Sequence, residues 1–360
     1  MVKDAARRSP WWGRASEAGP GLLLTLAFAI AAFATWWALR GTWLTFSALL
    51  WAFIYSIVAT NVWPGLSSRF AAGIELASSR LLRLAIALLG LTISAAVWLR
   101  MGGVGLGVVL LNLAFAFFFG SLFCRYVLRM KGAVSVLLGV GTCICGASAI
   151  AATGPALKAK AEEMGVSLAV ITLFGLLAMF GYPILFQGPL GAWLGGSPLA
   201  YGMWAGMGVH ETAQVVAAAA QVEGAVGIAM MAKSIRIFMI GPMVFASQLL
   251  FRRLEAGGRE GAARLSIPWF AVAFVLFTLV SAAMEVSPAA AEWARFNGDY
   301  LKPAVTFLLA WAFVGVGFKV RASAIKAIGL KAFLGGMAVA VVAGVSALLL
   351  TRYLWLPFEV

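Results

Sequence analysis

Three short stretches of this sequence carry polar side chains in patterns that could do chemistry. His210-Glu211-x-x-Gln214 sets an imidazole, a carboxylate and a carboxamide within one short run. Imidazole titrates near neutrality, so His210 and Glu211 are candidates for sensing or relaying a proton. Gly141-Thr142-Cys143-Ile144-Cys145-Gly146-Ala147-Ser148 mixes glycine with small and weakly polar residues. Such a backbone lets N–H groups approach a ligand, and a half-helix starting there offers partial positive charge to an anion. Lys233-x-x-Arg236 places two cations on one helical face. Arg236 could hold an oxyanion through two parallel N–H bonds, with Lys233 as a point charge.

Two of these stretches nearly match familiar signatures and fail at the decisive residue. Gly141 and Gly146 have the spacing of a phosphate loop, but Ala147 stands where the lysine is required, which excludes a nucleotide clamp. His210-Glu211-x-x-Gln214 has the outline of the zinc-protease motif, with Gln214 replacing the second histidine. His210 is the only histidine in the chain, so a two-histidine zinc site within one subunit is excluded. Cys124, Cys143 and Cys145 supply neither a zinc tetrad nor an oxidised framework. We expect no metal, no cofactor and no catalytic residue. The alternative enzyme reading is an intramembrane hydrolase using Ser148 or Cys145 with His210, which needs nucleophile and base within hydrogen-bond reach.

The elements that must position these residues are membrane helices. Of 360 residues, 63% are apolar and 11% charged, against about 45–50% and about 25% in soluble domains. A soluble globule of this size cannot hide so much apolar surface. A spanning helix needs about 20 mostly apolar residues. Eleven stretches qualify, at 21–39, 43–63, 81–99, 104–124, 133–156, 165–187, 199–221, 224–250, 267–285, 301–318 and 327–350. The fold class is therefore an all-α polytopic membrane protein, with 1–20 as a cytoplasmic tail and 21–360 as one membrane domain. The uncleaved first span follows Lys3, Arg7, Arg8 and Arg14. Trp36, Trp37, Trp43, Trp63, Trp98, Trp269 and Trp355 fall at span ends, as interfacial anchors do.

Lys+Arg number 27 against 13 Asp+Glu, a net +14. No basic run exceeds two residues, which excludes a nucleic-acid surface. The basic residues instead alternate by loop. Arg69 and Arg80, then Arg125, Arg129 and Lys131, then Arg252, Arg253, Arg259 and Arg264, then Lys319, Arg321 and Lys326 mark the rich side. Arg40, Arg100 and the Glu292–Asp299 loop mark the poor one. This puts the N-terminus in the cytoplasm. Lys158 and Lys160 follow the pattern only if stretch 133–156 is re-entrant.

That stretch and 199–221 are the least lipid-like, and irregular backbone at membrane depth requires cover by protein or a water-filled cavity. Re-entrant hairpins and broken crossing helices both satisfy that condition. Lys233 and Arg236 fall near the middle of stretch 224–250, where each charge costs about 2.5–3.5 kcal/mol. With Glu211 as the one acid at that depth, the surplus is one positive charge, which favours anions. Asn61 and Asn112 read as interhelical hydrogen-bond residues, Phe117-Phe118-Phe119 as packing or lipid-facing, and Glu285 as interfacial.

An internal echo points the same way. Ala147-Ser148-Ala149-Ile150-Ala151-Ala152 precedes Gly165 and Pro183, and Ala213-Gln214-Val215-Val216-Ala217-Ala218 precedes Gly224 and Pro242. In both cases the glycine and proline are 18 residues apart. Paired interrupted segments in two halves mark the central site of inverted-repeat transporters. A fainter echo links Gly90 and Gly102-Gly103 with Gly315, Gly317 and Gly329.

Gly141 to Ala152 followed by Lys158-Ala159-Lys160-x-Glu162-Glu163 resembles the sulfate exporter family of YeiH-like membrane proteins. His210-Glu211-x-Ala213-Gln214-Val215-Val216-Ala217-Ala218 and Lys233-x-x-Arg236 with Pro242 extend the likeness, which runs from about Leu81 to the C-terminus. The resemblance implies a bacterial inner-membrane carrier built from inverted repeats, related to bile-acid/sodium symporters and sodium/proton antiporters. It implies sulfate, sulfite or an organosulfonate as cargo. The chain lacks the paired intramembrane aspartates of a sodium/proton antiporter, which argues against cation exchange. The candidate substrate-binding set is Gly141, Thr142, Cys143, Cys145, Gly146, Ser148, His210, Glu211, Gln214, Lys233 and Arg236. An anion channel is the alternative to a carrier. A coupling proton or sodium ion and a homodimer are both compatible with these residues, and lipid is the surrounding solvent.

Overall fold

The computed structural model describes residues 11–39, 47–130, 133–254, 269–323 and 328–358. Lys3, Arg7, Arg8, Arg40, Trp43, Lys131, Arg259, Arg264 and Lys326 lie outside the described residues, as do the side chains of Arg14 and Trp98. The described chain is helical, without a described strand. It runs α1 (Trp11–Ala38), α2 (Ala48–Val62), α3 (Pro64–Arg69), α4 (Ala71–Leu76), α5 (Leu82–Leu89) and α6 (Ala95–Leu122). Then come α7 (Val134–Cys143), α8 (Gly146–Ala156), α9 (Ala161–Gln187), α10 (Pro189–Trp193), α11 (Pro198–Gly208) and α12 (Thr212–Ala219). The last third is α13 (Ala225–Phe238), α14 (Ile240–Leu254), α15 (Trp269–Glu285), α16 (Ala290–Phe296), α17 (Lys302–Phe318) and α18 (Leu330–Leu350).

Where the sequence reading treats 21–360 as one domain, the chain separates into two compact units. The first comprises Met1–Ile86 with Gly298–Ala322, the second Ala87–Asn297 with Ser323–Val360. In the first unit α1, α2, α4 and α17 pack together. Asn61 Nδ2 donates to Val320 O at 2.9 Å, and Asn61 Oδ1 accepts from Ala322 N at 2.8 Å. Asn61 thus ties α2 to the chain leaving α17, the interhelical use expected of it. Asn112 does the same in the second unit, donating from α6 to Ser346 Oγ at 2.8 Å and Ala343 O at 3.2 Å on α18.

The eleven apolar stretches do not each form one long helix. Among the described residues, five helices are long and apolar enough to cross a membrane: Glu17–Ala38, Leu99–Val127, Glu162–Gln187, Ala290–Phe318 and Leu330–Phe358. A sixth arises if α13 and α14, bent by 50° at their junction, count as one. Stretch 81–99 is interrupted by a 3-10 turn at Gly90–Thr92, after which the Ser94 side chain caps α6 by accepting from Ala96 N at 3.1 Å. Stretch 43–63 yields only the 15-residue α2. Stretches 133–156 and 199–221 are each two half-helices. Hydropathy sums apolar residues whether they face lipid or other helices, so buried half-helices inflate the count. The tryptophans also divide: Trp37 and Trp63 are largely exposed, as an anchor would be, but Trp355 is only 1% exposed. It packs against Gly105 of α6, where a Cβ would lie 3.0 Å from its Nε1.

Candidate functional site

Each broken stretch doubles back on itself as a pair of half-helices, and α9 shows how the two pairs are oriented. Glu163, in the first turn of α9, accepts from Ala133 N at 3.2 Å and from Lys160 N at 2.8 Å. One carboxylate therefore holds the chain entering α7 and the chain leaving α8, so that hairpin begins and ends at the N-terminal end of α9. Lys158 and Lys160 are exposed beside these feet, on the side where the chain entered. At the second hairpin Tyr201, near the start of α11, donates through its hydroxyl to Ala218 O at the end of α12, 2.9 Å away. The Tyr201 ring stands 4.7 Å from that of Phe186, at the C-terminal end of α9. A 27-residue helix is about 40 Å long. The two pairs of feet are separated by that length, and the tips meet between them.

The breaks need partners, because a helix ending at membrane depth leaves carbonyls that water cannot reach. Ile144 and Cys145 leave helical geometry after α7, and Val209 and Glu211 are extended after α11. Arg236 on α13 reaches both ends. Its Nε donates to Cys143 O at 2.7 Å, and its terminal nitrogens donate to Thr142 O, Gly206 O, Met207 O and Val209 O. Lys233 Nζ donates to Val209 O at 3.1 Å and to His210 O. Hydrogen bonds to charged groups contribute about 1.5–3 kcal/mol each, so five of them offset an insertion cost of about 2.5–3.5 kcal/mol. Most of the Arg236 donors that a bidentate grip on an oxyanion would use are engaged by main-chain carbonyls. The two cations instead neutralise the negative C-terminal ends of α7 and α11.

What remains at the tips is the positive pair of ends, the N-termini of α8 and α12. Cys145 Sγ and Thr212 Oγ1 are hydrogen-bonded at 2.9 Å, which joins the two. Glu211 is the N-cap residue of α12, with extended backbone and no side-chain cap hydrogen bond. The Thr172 hydroxyl of α9 donates to Glu211 Oε1 at 3.1 Å. Gly146 opens α8 with φ +28°, and a Cβ there would stand 2.9 Å from Glu211 Cγ. The Glu211 carboxylate therefore adjoins both helix starts.

The other candidate residues take distinct places. Gln214 does not share a helical face with His210, as the spacing suggests, because α12 starts only at Thr212. Instead Gln214 Oε1 accepts from Glu211 N, and its Nε2 donates to Thr172 O, each at 3.2 Å. His210 is 1% exposed, and neither ring nitrogen has a hydrogen-bond partner. Ser148 and Cys145 thus make no hydrogen bond to the His210 ring. Gly141 lies behind the tip against Ile171 of α9. The open edge of the crossing consists of exposed Ala147 and half-buried Ser148, Thr172 and Glu211. Thr172 escaped the sequence reading, since a threonine inside an apolar helix usually bonds its own preceding turn. Gly175 escaped it too, although a Cβ there would lie 2.0 Å from Gln214 Oε1.

The internal echo falls on corresponding parts. Ala147–Ala152 and Ala213–Ala218 lie in α8 and α12, the returning arm of each hairpin. Pro183 and Pro242 lie in α9 and α14, within the long helical segments that follow.

A family model described as conserved hypothetical protein 698 matches residues 20–336. A UPF0324 membrane protein of Pseudomonas aeruginosa is 36% identical over 328 residues, covering 88% of each chain. The UPF0324 inner membrane protein YeiH of Salmonella typhi is 33% identical over 295 residues, covering 81% of this chain and 82% of its own. YeiH of Escherichia coli K12 is 31% identical over 300 residues, covering 80% of each. No solved structure matches the chain. An all-helical multi-pass architecture, the Gly141–Glu163 and His210–Ala218 motifs, and these likenesses converge: the chain belongs to the conserved hypothetical protein 698 family, the UPF0324 or YeiH-like membrane proteins.

Proposed function

We propose that the protein is a secondary transporter of a small anion across the bacterial inner membrane. The observation that carries this reading is the meeting of two hairpins from opposite ends of α9. Lys233 and Arg236 neutralise the carbonyl ends of α7 and α11, so the uncompensated ends at the crossing are the N-termini of α8 and α12. Such ends favour anions, and in secondary transporters broken helices carry the substrate site near the midplane. His210, buried with two unpartnered ring nitrogens, adds hydrogen-bonding capacity that nothing in the chain consumes. Alternating access follows if the hairpin pair moves as a body past the rest of the chain. The family resemblance argues for sulfate, sulfite or a small organosulfonate. The distribution of arginine and lysine places the N-terminus, Lys158 and Lys160 in the cytoplasm.

The test is flux in liposomes containing the purified protein, with isotopically labelled sulfate, sulfite and methanesulfonate offered in turn. We expect saturable uptake of at least one, stimulated by the same unlabelled anion inside. Uptake without such counterflow stimulation would indicate a channel. No movement of any of the three would overturn the anion-carrier reading for this substrate class.

A further inference from the structure

Behind the cations that hold the tips, α13 borders a cavity that the carrier reading does not use. Met231, Ser234, Ile235 and Phe238 recur at helical spacing and line a space of about 430 Å³. At 3.6 residues per turn this stripe lies about 180° around α13 from Lys233 and Arg236. The helix therefore carries its charges on one face and the cavity on the other. Phe274 and Val275 of α15 form a second wall. The third wall is α6, which gives way at Gly102. That residue takes φ +54° and ψ −175°, a conformation open to glycine. A Cβ on Gly102 or on Gly103 would meet nothing within 4 Å, so the pair leaves an opening where side chains would otherwise stand.

Depth identifies what surrounds that opening. Ser94 Oγ donates to Glu285 Oε2 at 3.3 Å, which sets the start of α6 level with the end of α15. From that level Leu106 lies about 18 Å along α6 and Phe274 about 16 Å back along α15, at helical rise. Gly102, Gly103 and Leu106 all fall within the Leu99–Val127 span, inside a hydrocarbon layer about 30 Å thick. Leu106 at the rim is exposed, as are Val272 and Leu276 on either side of the α15 wall in sequence. The floor is different: Met231 and Ser234 are 3% exposed and Phe274 is fully buried. Ser234 is the single polar side chain in the lining, so water would find too few partners there. The solvent at the mouth is hydrocarbon, and the walls suit nothing else.

We propose that this cavity binds one acyl chain of a membrane phospholipid, which enters past Gly102 and Gly103 and lies against the back of α13. Its volume falls in the range of about 300–1,000 Å³ usual for ligand sites and exceeds a packing defect. The bound chain fills the space behind the helix that grips both hairpin tips, and so backs the Lys233 and Arg236 clamp. The proposal rests on the packing of α6, α13 and α15 and is independent of the carrier reading.

The test is photolabelling of the full-length protein in phosphatidylethanolamine–phosphatidylglycerol liposomes that contain a phosphatidylglycerol with a diazirine in mid-chain. Peptide mass spectrometry then maps the adducts. Leu177 and Ile184, exposed on α9, report lipid that merely surrounds the protein. We expect adducts on buried Met231 and Ser234 at yields matching or exceeding those on α9. Adducts confined to exposed residues would overturn the proposal. Val275→Trp, which fills the cavity from the α15 side, should cut labelling of residues 231–238 at least fivefold and leave α9 labelling unchanged. Gly103→Leu, which narrows the opening, should act in the same direction and replaces Val275→Trp if that variant is not recovered folded. Unchanged labelling of residues 231–238 in a folded variant would overturn the proposal. So would labelling of those residues by a diazirine-bearing alkane but not by the phospholipid, since the cavity would then take a free apolar solute.

Discussion

The two hairpins have the same plan and different contents. The first breaks over Ile144 and Cys145 and brings no charged side chain to its tip. Its returning helix α8 opens onto the accessible edge through Ala147 and Ser148. The second breaks over Val209, His210 and Glu211, and all eight residues of its returning helix α12 are buried. The first hairpin therefore reaches the open edge through its returning helix, and the second only through Glu211 at its break. The difference shows how a weak internal repeat can be useful. Both keep the broken helix, whose ends make the field, and only the second carries an imidazole and a carboxylate at its break. Arg236 binds carbonyls of both, so the two are held in one register by a single side chain.

Removing that shared clamp should have the largest effect. Arg236→Met leaves the carbonyls of Thr142, Cys143, Gly206 and Met207 buried without their donor. We expect a loss of about 3–5 kcal/mol, read as a large drop in thermal unfolding temperature in detergent, with Arg236→Lys intermediate. Wild-type melting of Arg236→Met would show that the clamp does not hold the tips. Next, Gly146→Ala strikes the tip of the first hairpin alone. The added Cβ meets Glu211, and φ +28° is unfavourable for alanine, together about 1–3 kcal/mol. Anion uptake should fall at least tenfold while folded protein is still recovered; unchanged uptake would mean that the two tips need not touch. The smallest effect is expected at the feet. Glu163→Ala deprives Ala133 and Lys160 of their acceptor, about 0.5–2 kcal/mol. Limited proteolysis should then cut faster around Leu157–Lys160 and no faster around Gln221–Gly224. Equal acceleration at both would show that the hairpins do not open separately.

Much of this arrangement was legible in the residues, for identifiable reasons. Glycine and small polar residues between apolar runs marked both breaks, because only such backbone tolerates irregular geometry at depth. Lys158 and Lys160 fitted a re-entrant course for the first hairpin, but the residues alone left a kinked crossing equally open. Lys233 and Arg236 were recognised as deep, and their spacing correctly put them on one face. Their bonds to main-chain carbonyls were not foreseen, because a sequence displays charges and hides the carbonyls that oppose them: the negative ends of α7 and α11 exist only once the helices break. Thr172 and Gly175 were invisible for a related reason. Each matters through Glu211 or Gln214 on another element, a pairing made by the third dimension alone. The number of apolar stretches exceeds the number of long helices because apolar residues buried in half-helices look like residues facing lipid.

That the two hairpins enter from opposite membrane faces is tested most directly by the accessibility of their feet. Lys158 and Glu223 are exposed at the first and second pair of feet, and Cys124, Cys143 and Cys145 are buried and so suited to remain as background. Lys158→Cys and Glu223→Cys, made separately, would be treated in right-side-out membrane vesicles with a maleimide that cannot cross the bilayer. Labelling of Glu223→Cys in intact vesicles, with Lys158→Cys labelled only after permeabilisation, is the predicted result. Labelling of both from the same side would contradict opposed hairpins and, with them, the meeting of two helix N-termini on which anion transport here depends.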